Sequence, residues 1–512
     1  MRAFAHTQPL SRLSERSPMP GLVIMGAVML IALVLAALNS GLTETFPYLF
    51  LLPWLVGLTL VFAAPIAFLY YRGRLVIYDP IVFAVGSYLF PAFVIGGIML
   101  LTGSSQPGIL DLIQEPTFNL PYTVVLIALG FAGLSLGYLI PFGATIGGAI
   151  EKFLPRSDFA PEQFVVPGIV LLLIGVASII LALVMGVFGY QLPTQITEFD
   201  GLIFVTTSFW TGAFFLLMYS LFRRKKYDFL FLLITVPLVL IAIAKTLFSG
   251  NRGSLIQIVV VFSLSYLFAG AKLSFRKVIF GVLLLSSALV VGMVYGTTFR
   301  NVKGNESQMS IDRYADNISS TLQNVQGSDI SSTMSFAFST IAARLDALST
   351  LAVVVSSYEQ LAPYEESYNL DNNIWRDLST FLIPRFIWKD KPSESDPRRY
   401  SDLYFNYSES SFVITPIGDL LRNFGPIGVP VGMFLFGIVL RTVYRALIED
   451  QKLITWRVVV YFIILTAVSY EAFYSTLIPN MTKFGLTAVI GMAIVHLTAR
   501  LLGYSPIETA RL

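Results

Sequence analysis

Arg252 stands in the run Phe248-Ser249-Gly250-Asn251-Arg252-Gly253-Ser254, where small residues on both sides let the backbone approach another group closely. A guanidinium in such a turn is suited to grip two phosphate oxygens at once. The plainer alternative is an arginine reaching up to lipid headgroups. Lys245 lies a turn or two earlier, and Arg300 and Arg422 carry cations at the ends of two other apolar blocks. Asp419 precedes Arg422 by three residues, and Glu471 is an isolated acid inside an apolar block. With no cysteine in the chain, disulfides, thiolate catalysis and thiolate-bound metal are excluded. The two histidines, His6 and His496, are too few for a histidine-rich metal site, and His496 reads as structural.

These groups need elements to position them, and composition says which. Of 512 residues, 55% are hydrophobic and 13% charged, about half the usual charged share of a soluble chain. The apolar residues come in blocks about 20 long, enough to cross a bilayer, where the backbone can pair its polar groups only as helix. We expect spans over 21–38, 48–71, 80–102, 121–141, 165–190, 202–222, 228–248, 254–270, 278–298, 424–440, 458–478 and 484–500. The first is read as an uncleaved span rather than a signal peptide. The fold expected is therefore an all-α polytopic membrane protein of about twelve transmembrane helices.

Lys and Arg collect in alternate connections: Arg2, Arg12 and Arg16; Arg72 and Arg74; Lys152 and Arg156; Arg223–Lys226; Lys272, Arg276 and Lys277; Arg441, Arg445, Lys452 and Arg457; Arg500 and Arg511. The short intervening connections hold only Arg252 and Lys483. The positive-inside rule then puts both termini in the cytoplasm and Arg252 on the outer face. It divides the chain into spans one to nine (1–298), a long outer loop (299–423) and the last three spans (424–512). The net charge of +3 carries no further message, and topology accounts for the basic residues without nucleic acid.

A connection of that length is functional or disordered, and its Tyr, Trp and Phe content argues for order. Those aromatics either form its core or stack on sugar rings. Phe338, Ile341, Leu345, Leu348, Ala352 and Val355 recur at helical spacing and predict an amphipathic helix, lying on the membrane surface or over the bundle mouth, or packed as a plain lid. No long-period repeat is evident. No P-loop, dinucleotide glycine fingerprint or HExxH occurs, and no histidine lies at the outer face to build a Ser/His/Asp triad.

Three stretches together resemble the Wzy-type family of O-antigen and oligosaccharide repeat-unit polymerases. Ser249-Gly250-Asn251-Arg252-Gly253 is similar to that family's small-residue–Arg–Gly element. Phe381-Leu382-Ile383-Pro384-Arg385-Phe386-Ile387-Trp388-Lys389-Asp390-Lys391-Pro392 is similar to its Pro-Arg…Trp…Lys-Pro loop element. Gly418-Asp419, Asn423-Phe424-Gly425 and Gly428 resemble the segment that re-enters the membrane after that loop. The likeness covers mainly 245–440.

The resemblance implies a glycosyltransferase at the periplasmic face of a bacterial inner membrane, making O-antigen or exopolysaccharide. Its substrates would be undecaprenyl-pyrophosphate-linked oligosaccharides, and a chain-length regulator and a flippase of the same pathway would be its partners. Arg252, Arg300, Arg385, Arg422 and Lys391 would hold the departing pyrophosphate and glycan, where preorganised cations lower the barrier most. No metal or other cofactor is expected. Asp419 and Glu471 lead as catalytic carboxylates, followed by Asp371 and Asp377. An O-antigen ligase, a flippase or exporter of the same lipid-linked glycan, and a scaffold component of an envelope complex are the rival expectations.

Overall fold

A computed structural model describes residues 47–508 except 104–106, 187, 189–199, 272–273, 305–309, 328–340, 342–344, 384–386, 409–410 and 450–452. The expected first span, His6, Phe338, Arg344 and Arg385 thus lie outside the described residues.

The chain is helical nearly throughout. In order the helices are α1 (Leu52–Tyr71), α2 (Pro80–Leu101), α3 (Pro116–Leu139), α4 (Pro141–Glu151), α5 (Val165–Val184), α6 (Asp200–Arg224), α7 (Phe229–Ser249) and α8 (Ser254–Phe268). Then come α9 (Phe275–Lys303), α10 (Ile311–Gly327), α11 (Ala347–Leu361), α12 (Asn373–Thr380), α13 (Pro397–Phe405), α14 (Pro416–Leu447), α15 (Thr455–Ala467) and α16 (Tyr474–Leu501). Among the described residues nine helices are long and apolar enough to cross a membrane, and α8 and α15 are shorter apolar helices. Together they carry the expected spans from 48–71 to 484–500.

Local sequence explains the boundaries. Asp79 caps α2 by accepting from the Ile81 N–H at 2.9 Å, and Asp228 caps α7 by accepting from Phe231 at 3.1 Å. α2 widens into π-helical turns over Val85–Ile95 around Pro91. α14 is the axis of the bundle. Its backbone lies directly on α3: a Cβ at Gly133 would sit 2.3 Å from the Pro430 carbonyl oxygen, and one at Gly137 2.0 Å from that of Phe434. This is the small-residue contact by which membrane helices gain dispersion energy without a hydrophobic driving force.

The segments that the charge pattern assigns to one side do meet at one end. Arg441 pairs with Glu449 at 2.7 Å, Arg457 with Glu151 at 3.5 Å, and Arg223 with Asp158 at 3.5 Å. Arg74 stands 3.7 Å from Glu449. Burial pushes the Asp158 carboxyl up against the pull of Arg223. A two-residue antiparallel pairing of 157–158 with 507–508 closes this basic end. Arg252, Arg300 and Arg422 belong to the opposite, distal end.

Three expectations are sharpened or corrected. From Ala347 on, the stripe 338–355 forms the packed alternative rather than a helix lying on the membrane surface. α11 starts at Ala347 behind an Asp346 cap and is buried on all sides over Ala347–Val355, packed against α3, α13 and α14. The block 458–478 is not one helix: α15 stops at Ala467, and Glu471 stands exposed in the turn before α16. The helix that carries the tenth span starts before the span itself: Thr415 caps it ahead of Pro416, and it is broken at Gly425 (φ 69°, ψ −171°).

Candidate functional site

Two groups of polar side chains stand at the distal end, on different elements. The first is the Arg252 turn. Gly250 ends α7 with φ +57°, a left-handed cap that glycine adopts without cost. Space also demands glycine there, since a Cβ would lie 2.1 Å from the Phe299 ring of α9. Asn251 Oδ1 accepts from the Gly253 N–H at 2.9 Å and fixes the turn. The turn presses into a notch on α9: a Cβ at Gly292 would meet the Arg252 carbonyl oxygen at 2.5 Å, and one at Gly296 the Arg252 Cγ at 2.7 Å. Gly292, Gly296 and Arg300 recur every fourth residue, so Arg300 follows the notch on the same helix face. Two of the expected cations therefore belong to one joint, the α7–α8 turn on α9. Tyr295 Oη secures the joint by donating to the Leu247 carbonyl at 2.7 Å. Lys245, one turn before the end of α7, points elsewhere, into a small recess shared with Thr211, Ser254 and Gln257.

The second group is a buried network where the long connection between α9 and α14 closes on the bundle. The Arg422 side chain is wholly buried. Its Nη1 stands 2.7 Å from Glu365 Oε1, and its Nη2 donates to Asp419 Oδ1 at 2.7 Å. The rings of Tyr400 and Phe473 flank the guanidinium at 5.6 and 5.9 Å. Asp419, also fully buried, accepts from Asn373 Nδ2 at 3.0 Å and from the Ser475 N–H at 3.1 Å. Ser475 Oγ donates to Asp377 Oδ2 at 2.8 Å, as does Ser395 Oγ at 2.8 Å. Arg376 Nε reaches Asp377 Oδ1 at 3.4 Å. Tyr404 Oη donates to Glu365 at 2.7 Å, and burial, then the Glu365 charge, pushes that hydroxyl far up, so it stays protonated.

Taken as chemistry, this network is satisfied rather than open. Arg422 and Asp419, expected to bind anion and to accept a proton, spend those capacities on each other and on Glu365. Asp419 has both oxygens taken, and Arg422 has its charge offset by two carboxylates. Such a cluster ties the half-helix 416–424 to α12, α13 and the start of α16. It takes up substrate only if substrate groups replace its internal bonds.

The remaining expected residues are dispersed. Lys391 is buried in the segment before α13. Asp377 joins the network, and the Glu471 carbonyl accepts from the Ile414 N–H at 3.4 Å, beside the start of α14. Of the loop aromatics, Tyr400, Tyr404 and Phe405 are core, whereas Tyr364, Trp375, Trp388 and Tyr407 are exposed. Sequence reasoning passes over Glu365, Asn373, Ser395 and Ser475. Asn373 and Asp377 are four apart on one face of α12, a usable signal; Glu365 and Ser475 carry none. Among the described residues no group of three or more His, Asp or Glu side chains is placed to hold a metal. A cavity of about 160 Å³ lies between α5, α6, α8, α15 and α16, lined in part by Thr211, Gln257 and Thr487, and none of the expected site residues lines it.

A helical bundle of membrane-spanning length, with a long connection folded onto one end, defines the class: an all-α polytopic membrane protein. The chain belongs to the family described as Domain of unknown function (DUF8712), which it matches over residues 166–448. That stretch runs from α5 through α14 and holds Arg252, Arg300, Asp419 and Arg422, but not Ser475. No curated protein and no solved structure matches the chain.

Proposed function

We propose that this protein is a membrane glycosyltransferase that joins polyprenyl-pyrophosphate-linked oligosaccharide repeat units, with its distal end facing the periplasm. The observation that carries the proposal is the seating of the Arg252 turn in the Gly292–Gly296 notch, with Arg300 one turn beyond. Two arginines so placed at the end of a bundle suit a lipid-borne pyrophosphate, whose leaving oxygens gain charge as the glycosidic bond breaks. The long connection, folded onto the same end, offers exposed Tyr364 and Tyr407 to glycan. In this reading Arg252 and Arg300 hold the leaving group. Asp419 and Arg422 build the floor on which the connection rests, and Asp419 acts as base only where substrate opens its pairing. The resemblance of 245–440 to the Wzy type is the second support.

The test is complementation of a polymerase-deficient bacterial strain, read as glycan chain length. Restored ladders support polymerisation; a single-repeat product contradicts it. Arg252→Ala is expected to abolish the ladder at unchanged protein level, and Arg252→Lys to restore it in part, since lysine keeps the charge but loses the fork.

A further inference from the structure

The broken helix fixes a level. At about 1.5 Å per residue the whole of α14 would measure roughly 48 Å, far more than a bilayer core needs. The part after Gly425 and before Arg441 of the basic end, residues 426–440, measures about 22 Å, so the ~30 Å hydrocarbon thickness reaches back only about five residues past the break. Gly425 therefore stands within about one helical turn of the level where hydrocarbon gives way to headgroups at the distal end. α16 agrees: no Lys, Arg, Asp or Glu falls between Lys483 and Arg500, and Lys483 pairs with Glu394 of the long connection.

At that level the connection turns an apolar edge outward. Trp375 on α12 is 65% exposed and meets the ring of Phe424 edge-on, with centroids 6.1 Å apart. Leu382, Ile387 and Trp388 are exposed just beyond it. On α14 the exposed row continues through Ile427, Val431 and Leu435, at the four-residue spacing of one helix face, which faces acyl chains if 426–447 crosses. The apolar edge is thus continuous with a lipid-facing stripe. The inner face of α12 is held by Asn373 and Asp377 in the buried network, so the outward pose of Trp375 is imposed rather than free.

We infer that the connection docks on the bilayer itself at this edge, with Trp375, Leu382 and Ile387 set among the headgroups and upper acyl chains beside Gly425. Tryptophan with aliphatic neighbours on one side and hydrogen-bonding groups on the other is the composition an interface selects. The occupant is lipid because Trp375 packs on Phe424, at the head of the exposed row Ile427, Val431 and Leu435 on a membrane-spanning helix. This inference does not rest on the proposed transferase activity.

The absence of cysteine makes the test direct. Leu382→Cys, Ile387→Cys and, as an exposed control on the same connection, Glu366→Cys are labelled singly with an environment-sensitive fluorophore in the full chain, reconstituted in phosphatidylcholine vesicles. Docking predicts blue-shifted emission at 382 and 387, quenching by lipids spin-labelled high on the acyl chain, and protection from aqueous iodide; position 366 shows the reverse. Iodide quenching at 382 and 387 equal to that at 366 overturns the inference. So does protection from both quenchers, which would mean that protein covers the edge. Intrinsic fluorescence gives a second reading that needs no label: Trp375→Phe in the unlabelled protein should remove part of the tryptophan emission quenched by the same lipids, and an unchanged quenched fraction overturns docking as well.

Discussion

Removing the Arg422 side chain would leave Asp419 and Glu365 buried without their shared cation. Breaking a buried ion cluster from one side costs about 3–5 kcal/mol, because the abandoned charge stays out of water. Arg422→Ala is therefore expected to lower the melting temperature in detergent sharply, and Arg422→Lys to recover part of it, since lysine cannot reach both carboxylates as a fork. Equal melting of Arg422→Ala and the parent would contradict the network. The Arg252 turn is read through function instead: Arg252→Ala keeps Gly250, Gly292 and Gly296, and glycan length is expected to collapse in the protein that still folds. Half of this was legible from residue types. Asp419 and Arg422 are three apart on one helix face, and the glycines around Arg252 announce a tight turn. Glu365 and Ser475 were not legible, because they reach Asp419 and Arg422 from segments more than fifty residues away and nothing in their neighbours marks them.

Glycine sets the packing of whole elements. Gly137→Val would drive a side chain into the Phe434 backbone of α14, and overpacking of that kind costs roughly 1–3 kcal/mol. Gly148→Ala on α4, where nothing lies within 4 Å, is the matched control and should melt no lower than the parent. Gly425→Ala meets a different obstacle, a backbone conformation near φ 69°, ψ −171° that is essentially reserved for glycine, at about 1–3 kcal/mol. Circular dichroism melts of these three variants order them, and a melt of Gly137→Val matching Gly148→Ala would contradict the close approach of α3 and α14. α11 shows what periodicity left open. Its polar residues look solvent-facing in the sequence, but Thr350 and Ser357 turn their hydroxyls back to the Ala347 and Val353 carbonyls at 3.1 and 2.6 Å. Hydroxyls satisfied within their own helix let the whole surface be buried. Hydropathy likewise overran the end of α15, because Tyr470, Phe473 and Tyr474 are apolar whether helical or turning.

At the scale of the molecule the alternation of basic residues was the most informative feature, since it groups the connections that meet around Glu449, Glu151 and Asp158. Sidedness follows as a prediction. A cysteine at position 156 should react with impermeant maleimide only after cells are opened, and one at position 366 in intact spheroplasts; the opposite pattern would invert the bundle. The break in α14 was not legible, because a helix continued through Gly425-Pro426 has the same hydropathy as one bent there. What the assembled molecule offers is a distal end where the Arg252 turn seats on α9 one turn before Arg300, and the proposal stands on these two arginines holding a pyrophosphate. The most direct measurement is made with the purified chain in vesicles supplied with an oligosaccharide on polyprenyl pyrophosphate. The account predicts release of polyprenyl pyrophosphate in step with a lengthening glycan, both lost in Arg252→Ala. Lengthening by Arg252→Ala at the parent rate, or no lengthening by the folded parent, would contradict it.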